Sequence, residues 1–268
     1  MPPMTFVKWG GSLITDKIGR FSVRTAVLKR LAREVARAWP AYQGRLLIGH
    51  GSGSFGHVAA HDVGLDRHDT PPAAALSRVQ DAVATLHRHV VQALREADLP
   101  VFSWAPSSAF VTTHGTPAAC SAAPVQHALS AGALPVTYGD ITLDTADGLA
   151  ICSTETVFRT LVDALSGTPR APERVLWCGN TNGVYDDSGT PIDMLTIREA
   201  RAMINVVDAP DGTDVTGGMA HRLEVACALA DQGLNSLLLN GDAPGRLLGA
   251  LRHNAVPGTR IPRATNTA

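Results

Sequence analysis

His50-Gly51-Ser52-Gly53-Ser54-Phe55-Gly56-His57 follows directly on the apolar run Leu46-Leu47-Ile48. Three glycines within six positions let backbone N–H groups approach an anion closely, and a helix opening nearby adds its positive end to the same spot. A short apolar strand that feeds such a turn opens a β-α-β unit, with the ligand at the carboxyl end of the strand. The same stretch also reads as a plain connecting turn, and a lone histidine such as His57 is more often structural.

A second element shifts the balance. Phe6-Val7-Lys8-Trp9 reads as a short strand and runs into Gly10-Gly11-Ser12, with Ile14-Thr15-Asp16-Lys17 behind it. Lys8 interrupts an apolar strand, where burying an ammonium costs free energy unless it meets an anion. The alternative is an edge strand from which Lys8 snorkels to water. Lys17, in a polar loop, reads on its own as solvated surface.

Outward from these two turns the pattern alternates. Val23, Val27, Leu28, Leu31 and Val35 recur at helical spacing behind Ser22, which predicts a helix over 22–39 with Ser22 as its N-cap. A strand is expected at 45–49, a long helix at 73–97, and short buried strands at 100–103 and 135–138. The residues flanking Asp144-Thr145-Ala146-Asp147-Gly148 read as a hairpin, with a helix from about 153. Further on, a strand is expected at 174–178, helices at 196–204 and 219–232, the latter closed by Gly233, and a strand at 236–239. Turn formers fill 166–172 and divide the chain into lobes 1–165 and 166–268. The fold class is α/β, a three-layer αβα sandwich around a mostly parallel central sheet.

Composition narrows the partners. The 268 residues are 45% hydrophobic and 18% charged, with a formal net charge of −1. Such a chain has a core to bury and no basic field for nucleic acid, so a small molecule is the expected partner. No apolar run reaches the roughly 20 residues of a membrane span, and Met1-Pro2-Pro3-Met4 has no signal-peptide character, so a cytoplasmic location is expected. Cys120, Cys152, Cys178 and Cys227 form no C-x-x-C pair and read as buried small hydrophobes, with no metal site among them.

Six motifs in order carry a resemblance: Lys8-x-Gly10-Gly11-Ser12, Ile14 to Lys17, Gly53 to His57, Pro135-Val136-x-Tyr138-Gly139-Asp140, Gly183-Val184-Tyr185-Asp186, and Asp214-Val215-Thr216-Gly217-Gly218-Met219. The chain resembles the amino acid kinase superfamily, and within it the isopentenyl phosphate kinases. That resemblance implies ATP-dependent transfer of a phosphoryl group, with Mg2+, onto the phosphate of isopentenyl phosphate by a homodimer, the first lobe binding acceptor and the second nucleotide. Two anions then meet, and positioned cations and backbone donors solve that problem. By similarity, Lys8 reaches the transferred group, Lys17 and His57 hold the acceptor phosphate, and Gly51, Ser52, Gly53, Gly56, Gly139 and Asp140 line its side. Gly10, Gly11, Ser12, Asn180, Tyr185, Thr216, Gly217, Gly218 and Arg222 fall to the nucleotide.

Asp140 reads equally as the cap of a turn. Val83, Leu86 and Val90 on the long helix are candidates for an apolar tail pocket, but read more readily as core. Five positions depart from the family pattern: Ser52 for a glycine, Thr154 for an aspartate with Glu155 the adjacent carboxylate, Asn180 and Asn182 for two aspartates, and Arg222 for a lysine. Two other readings stay open here, a phosphonate kinase of the fosfomycin type and a catalytically silent ligand-binding protein of the same fold.

Overall fold

A computed structural model describes residues 2–16, 19–65, 72–118, 120–207 and 218–264. Eleven strands are found there: β1 Thr5–Trp9, β2 Leu46–His50, β3 Val101–Ser103, β4 Thr112–Thr113, β5 Thr116–Pro117, β6 Leu134–Tyr138, β7 Asp140–Asp144, β8 Gly148–Cys152, β9 Arg174–Gly179, β10 Asn235–Asn240 and β11 Thr259–Ile261. The main sheet has the order β11-β10-β9-β1-β2-β6-β3, parallel throughout except for β11. Lys8 stands opposite Gly49 on one side and Trp177 on the other, so it occupies the centre of the sheet and is not an edge residue.

The helices are α1 Gly11–Ile14, α2 Thr25–Tyr42, α3 Gly53–Asp62, α4 Pro72–Arg95, α5 Ala123–Ser130, α6 Thr154–Leu165, α7 Ile197–Val207, α8 Gly218–Asp231 and α9 Arg246–Leu251. Period-two alternation sorts the strand side chains between two cores. Val7, Trp9, Leu46, Ile48, Leu176 and Cys178 pack with α2, α4 and α9 on one face. Phe6, Leu47, Val175 and Trp177 pack with α5, α6 and α8 on the other. The result is the expected αβα sandwich.

The predicted hairpin is present as β7 and β8, paired antiparallel within a smaller sheet of order β5-β4-β7-β8. Ser153 caps α6, its Oγ accepting from Thr156 N at 3.1 Å, and Gly233 follows α8 with φ +89°. Val83, Leu86 and Val90 are core, as expected. Cys152, Cys178 and Cys227 are buried; Cys120 is half-buried, and all four are free thiols.

The second helix departs from expectation. It starts at Thr25, three residues beyond Ser22, because Val23 is drawn into a bridge with Thr15 on the far side of α1. Helix α9 and strand β11 were not legible as elements. A carboxylate from α2 fixes the start of α9: Glu34 accepts from Gly245 N at 2.9 Å and Leu248 N at 3.0 Å. Segment 166–172 lies between α6 and β9, and β9 inserts between β1 and β10, so the main sheet runs on across it. No helix among the described residues is long and apolar enough to cross a membrane.

Candidate active site

Strands β1, β2 and β9 all deliver their carboxyl ends to one place, where the turns after β1 and β2 interlock through main-chain atoms. A Cβ on Gly11 would lie 2.4 Å from Gly53 N, and one on Gly51 would lie 2.7 Å from Gly11 N. Only glycine permits that approach. Thr15 pins the crossing, its Oγ1 donating to Gly11 O at 2.9 Å and accepting from Ser54 N at 3.1 Å. Gly53, with φ +51°, is the first residue of α3, and Ser52 is its N-cap. Ser52 Oγ fills the space over Gly56, where a Cβ would sit 2.2 Å from it. The glycine-rich stretch is therefore the opening turn of a helix, crossed by the amino-terminal turn. Changing Gly11 to alanine forces the two turns apart, and displacement of about 1 Å at a reacting centre costs about 100-fold. Steady-state kinetics of Gly11→Ala should show kcat/KM reduced for acceptor and nucleotide together; loss for one alone would place the turns in separate sites.

Beside the crossing lies a buried charge cluster. Lys8 is 6% exposed and Glu155, in the first turn of α6, 5% exposed. Lys8 Nζ donates to Glu155 Oε1, and Arg222 Nε on α8 stands 3.8 Å from the same oxygen. Burial pushes the Lys8 ammonium down to about 8; Glu155 pulls it up and Arg222 adds to the lowering. Burial also raises the Glu155 carboxyl, but Lys8 and Arg222 outweigh that and hold it below its ordinary value. Near neutral pH two cations thus face one carboxylate, leaving an excess positive charge. Arg222 Nε and Ser54 Oγ are buried with no hydrogen-bond partner among the described residues. Orphaned buried donors beside uncompensated positive charge are a site for an anion rich in acceptor oxygens.

Glu155, the carboxylate that the sequence offered one position beyond the family's aspartate, is the partner of Lys8. Thr154 occupies the aspartate's place in the family pattern, yet its Oγ1 donates to His50 O at 2.7 Å and knits α6 to β2. The next residue turns its carboxylate to Lys8. The signal for it was the absence of any other carboxylate in 152–155.

The segment after β9 closes the opposite side. Ser12 Oγ donates to Asn180 Oδ1 at 3.0 Å, joining α1 to that segment. Asn182 Oδ1 accepts from Asn240 Nδ2 at 3.2 Å and Arg246 Nη1 at 2.8 Å, while Tyr185 OH accepts from Asn182 N at 3.1 Å. The two asparagines thus organise neighbouring turns. Gly179 lies against Arg222, where an added Cβ would be 3.3 Å from Nη1, and Gly10 N donates to Cys178 O at 2.8 Å.

The structure brings together Lys8, Gly10, Gly11, Ser12, Gly51, Ser52, Gly53, Gly56, Asn180 and Arg222. His57 lies on α3 one turn beyond the crossing and is exposed. Gly139 N donates to His50 O at 3.0 Å, which places it beside β2. Asp140 is engaged by backbone: Oδ1 accepts from Ile141 N at 2.9 Å and Oδ2 from Ser107 N at 3.2 Å, where it ties down a 3-10 turn at Pro106–Ser108. Burial raises its carboxyl against those hydrogen bonds. The capping alternative describes Asp140. Gly218 is the first residue of α8. Lys17, Thr216 and Gly217 lie outside the described residues. A cavity of about 880 Å³ between α6, α7, α8 and the β4–β5 turn, lined by Arg159, Arg201 and His221 among others, contains none of the expected site residues.

Comparison with known proteins agrees with this fold. The profile of the amino acid kinase family matches residues 3–240. The chain is 30% identical over 271 residues to the isopentenyl phosphate kinase of Methanothermobacter thermautotrophicus, covering 96% of this chain and 98% of that one. It is 25% identical to the isopentenyl phosphate kinase of Methanocaldococcus jannaschii over 96% of this chain and 98% of that one. A solved isopentenyl phosphate kinase structure superposes with a TM-score of 0.79 at 26% identity, covering 96% of this chain and 100% of that chain.

Proposed function

The chain belongs to the amino acid kinase family, and from that premise we propose that it transfers the terminal phosphoryl group of ATP to isopentenyl phosphate. The observation that carries the transfer chemistry is the buried Lys8–Glu155–Arg222 cluster at the crossing of the two glycine turns. The choice of acceptor rests on the relatives named above.

In this reading an oxygen of the acceptor phosphate forms a bond to the γ-phosphorus while the bond from that phosphorus to the β,γ-bridging oxygen breaks, and ADP leaves with the electron pair. Lys8 neutralises charge on the group in flight and Glu155 fixes its ammonium. The Gly51–Gly53 turn holds the acceptor phosphate, assisted by Lys17 and by the exposed His57, and the Gly10–Gly11 turn holds the donor. Residues before 166 then serve mainly the acceptor, and Asn180, Tyr185 and Arg222 the nucleotide. Among the described residues no three His, Cys, Asp or Glu side chains are grouped as a cage for a metal ion. Magnesium would enter with the nucleotide phosphates and would offset their charge there.

Purified protein supplied with ATP, Mg2+ and isopentenyl phosphate should yield isopentenyl diphosphate and ADP, read by 31P NMR. Parallel reactions with dimethylallyl phosphate and fosfomycin set the preference. Turnover of fosfomycin alone would replace this acceptor, and acceptor binding without turnover would remove the kinase.

The Lys8 ammonium gives a pH signature. With its pKa lowered to about 8, the charged form dominates at pH 7 and is lost as pH rises, so kcat/KM for ATP, which reports the free enzyme, should fall along a limb near that value. Bound phosphates favour the ammonium, so the limb in kcat should lie at higher pH. Superposable limbs would show that Lys8 does not face the phosphates.

A further inference from the structure

Behind the acceptor turn runs a chain of three side chains that the transfer chemistry leaves unused. His50, the last residue of β2, is buried, and its Nδ1 lies 3.1 Å from Gly51 O. Its Nε2 lies 3.0 Å from Nδ1 of His87, a buried residue of α4. His87 Nε2 in turn lies 2.6 Å from Ser103 Oγ, at the exposed end of β3. Tyr138 packs against both rings, 5.7 Å from His50 and 4.3 Å from His87 between centroids.

Only one arrangement of hydrogens satisfies every link. Burial lowers both imidazoles, His50 to about 4 and His87 to about 3, the latter lowered further by His50. Each ring is therefore neutral near pH 7, with one donor and one acceptor nitrogen. Gly51 O can only accept, so His50 carries its hydrogen on Nδ1 and accepts at Nε2. His87 must then donate from Nδ1 and accept at Nε2 from the Ser103 hydroxyl.

We propose that Ser103, His87 and His50 form a directional chain that positions the acceptor turn, with His50 drawing back the Gly51 carbonyl. This rests on the kinase reading above. Because the peptide is planar and trans, holding that carbonyl turns the Ser52 N–H away from the imidazole. That N–H has no acceptor among the described residues and is left for a phosphate oxygen. All three are positioning residues: none is assigned a contact with the reacting atoms. Without His87, His50 is free to place its hydrogen on Nε2, and the Gly51 carbonyl loses its donor.

Two measurements test the chain, and neither is turnover. In 15N-histidine-labelled wild-type protein at pH 7, long-range 15N–1H spectra should show His50 and His87 both as neutral Nδ1–H tautomers. Calorimetric titration of isopentenyl phosphate should show His87→Leu binding about tenfold more weakly, the scale of one lost charge-assisted hydrogen bond, with ATP affinity unchanged. His87→Asn, which restores an N–H near the position of Nδ1, should recover most of that loss. An Nε2–H tautomer at either ring, or equal losses for acceptor and ATP that track a fall in melting temperature, would overturn the proposal. Wild-type turnover tests the kinase reading separately: an inactive protein with these tautomers and this binding ratio would keep the positioning chain and lose the kinase.

Discussion

Lys8→Met is expected to lower kcat by about a thousandfold, the scale of removing one preorganised donor from a developing anionic charge. Methionine is unbranched and apolar, so it fills the space of the lysine stem between Gly49 and Trp177 without a cavity. Glu155 keeps a cation, because Arg222 Nε stands 3.8 Å from the same carboxylate oxygen. The variant should therefore melt within a few degrees of wild type. Lys8→Arg should not rescue it, since a planar fork cannot reproduce a compact ammonium in a buried slot. Steady-state kinetics at saturating acceptor, together with thermal melts, measure both parts. A kcat within tenfold of wild type would remove Lys8 from the chemistry, and a collapse in melting temperature would make it a structural residue.

Glu155→Ala should have the largest effect on stability. It leaves the Lys8 ammonium and the Arg222 guanidinium sharing a buried space with no carboxylate between them, and breaking a buried pair in this way costs about 3–5 kcal/mol. For a chain of this size that corresponds to roughly 10 °C in melting temperature. The remedy is specific: Lys8→Met combined with Glu155→Ala removes one of the two stranded cations and should recover a large part of the loss. A double-mutant cycle by thermal or urea unfolding measures the coupling. Simple additivity of the two changes would show that the pair does not exist in solution.

What could be read from the sequence was whatever depended on neighbours in the chain. The short apolar runs of β1, β2 and β9, the 3.6-residue stripe of α4, and the β7–β8 turn around Asp144–Gly148 each declare themselves within a dozen residues. Ser153 announced a helix start because its partner, Thr156, is three residues on. Ser22 had the same local credentials, but the bridge between Val23 and Thr15 pulls that segment into an extended path, a preference set by tertiary contact. Helix α9 owes its start to Glu34, 211 residues from Gly245, which no local pattern records. The site divides the same way. The glycine turns and Lys8 stand out by residue type, whereas Glu155 stood in the sequence only as the carboxylate next to Thr154, and its pairing with Lys8, 147 residues away, is made by α6. Adjacent residues in a helix point about 100° apart, so the choice between Thr154 and Glu155 as the lysine's partner belongs to packing.

The main-chain crossing of Gly11 and Gly53 acts as a ruler. Most recognition surfaces can drift as side chains are exchanged, but in the proposed reaction the gap separating two grips is set by peptide atoms in contact, and only a side chain added at the glycines themselves would widen it. Laboratory evolution toward bulkier or smaller substrates would have to remodel the surrounding walls, because any change at the intersection itself alters both grips at once. An in-line reaction between two like-charged molecules gains from such invariance, since its barrier depends steeply on how far apart the partners are held.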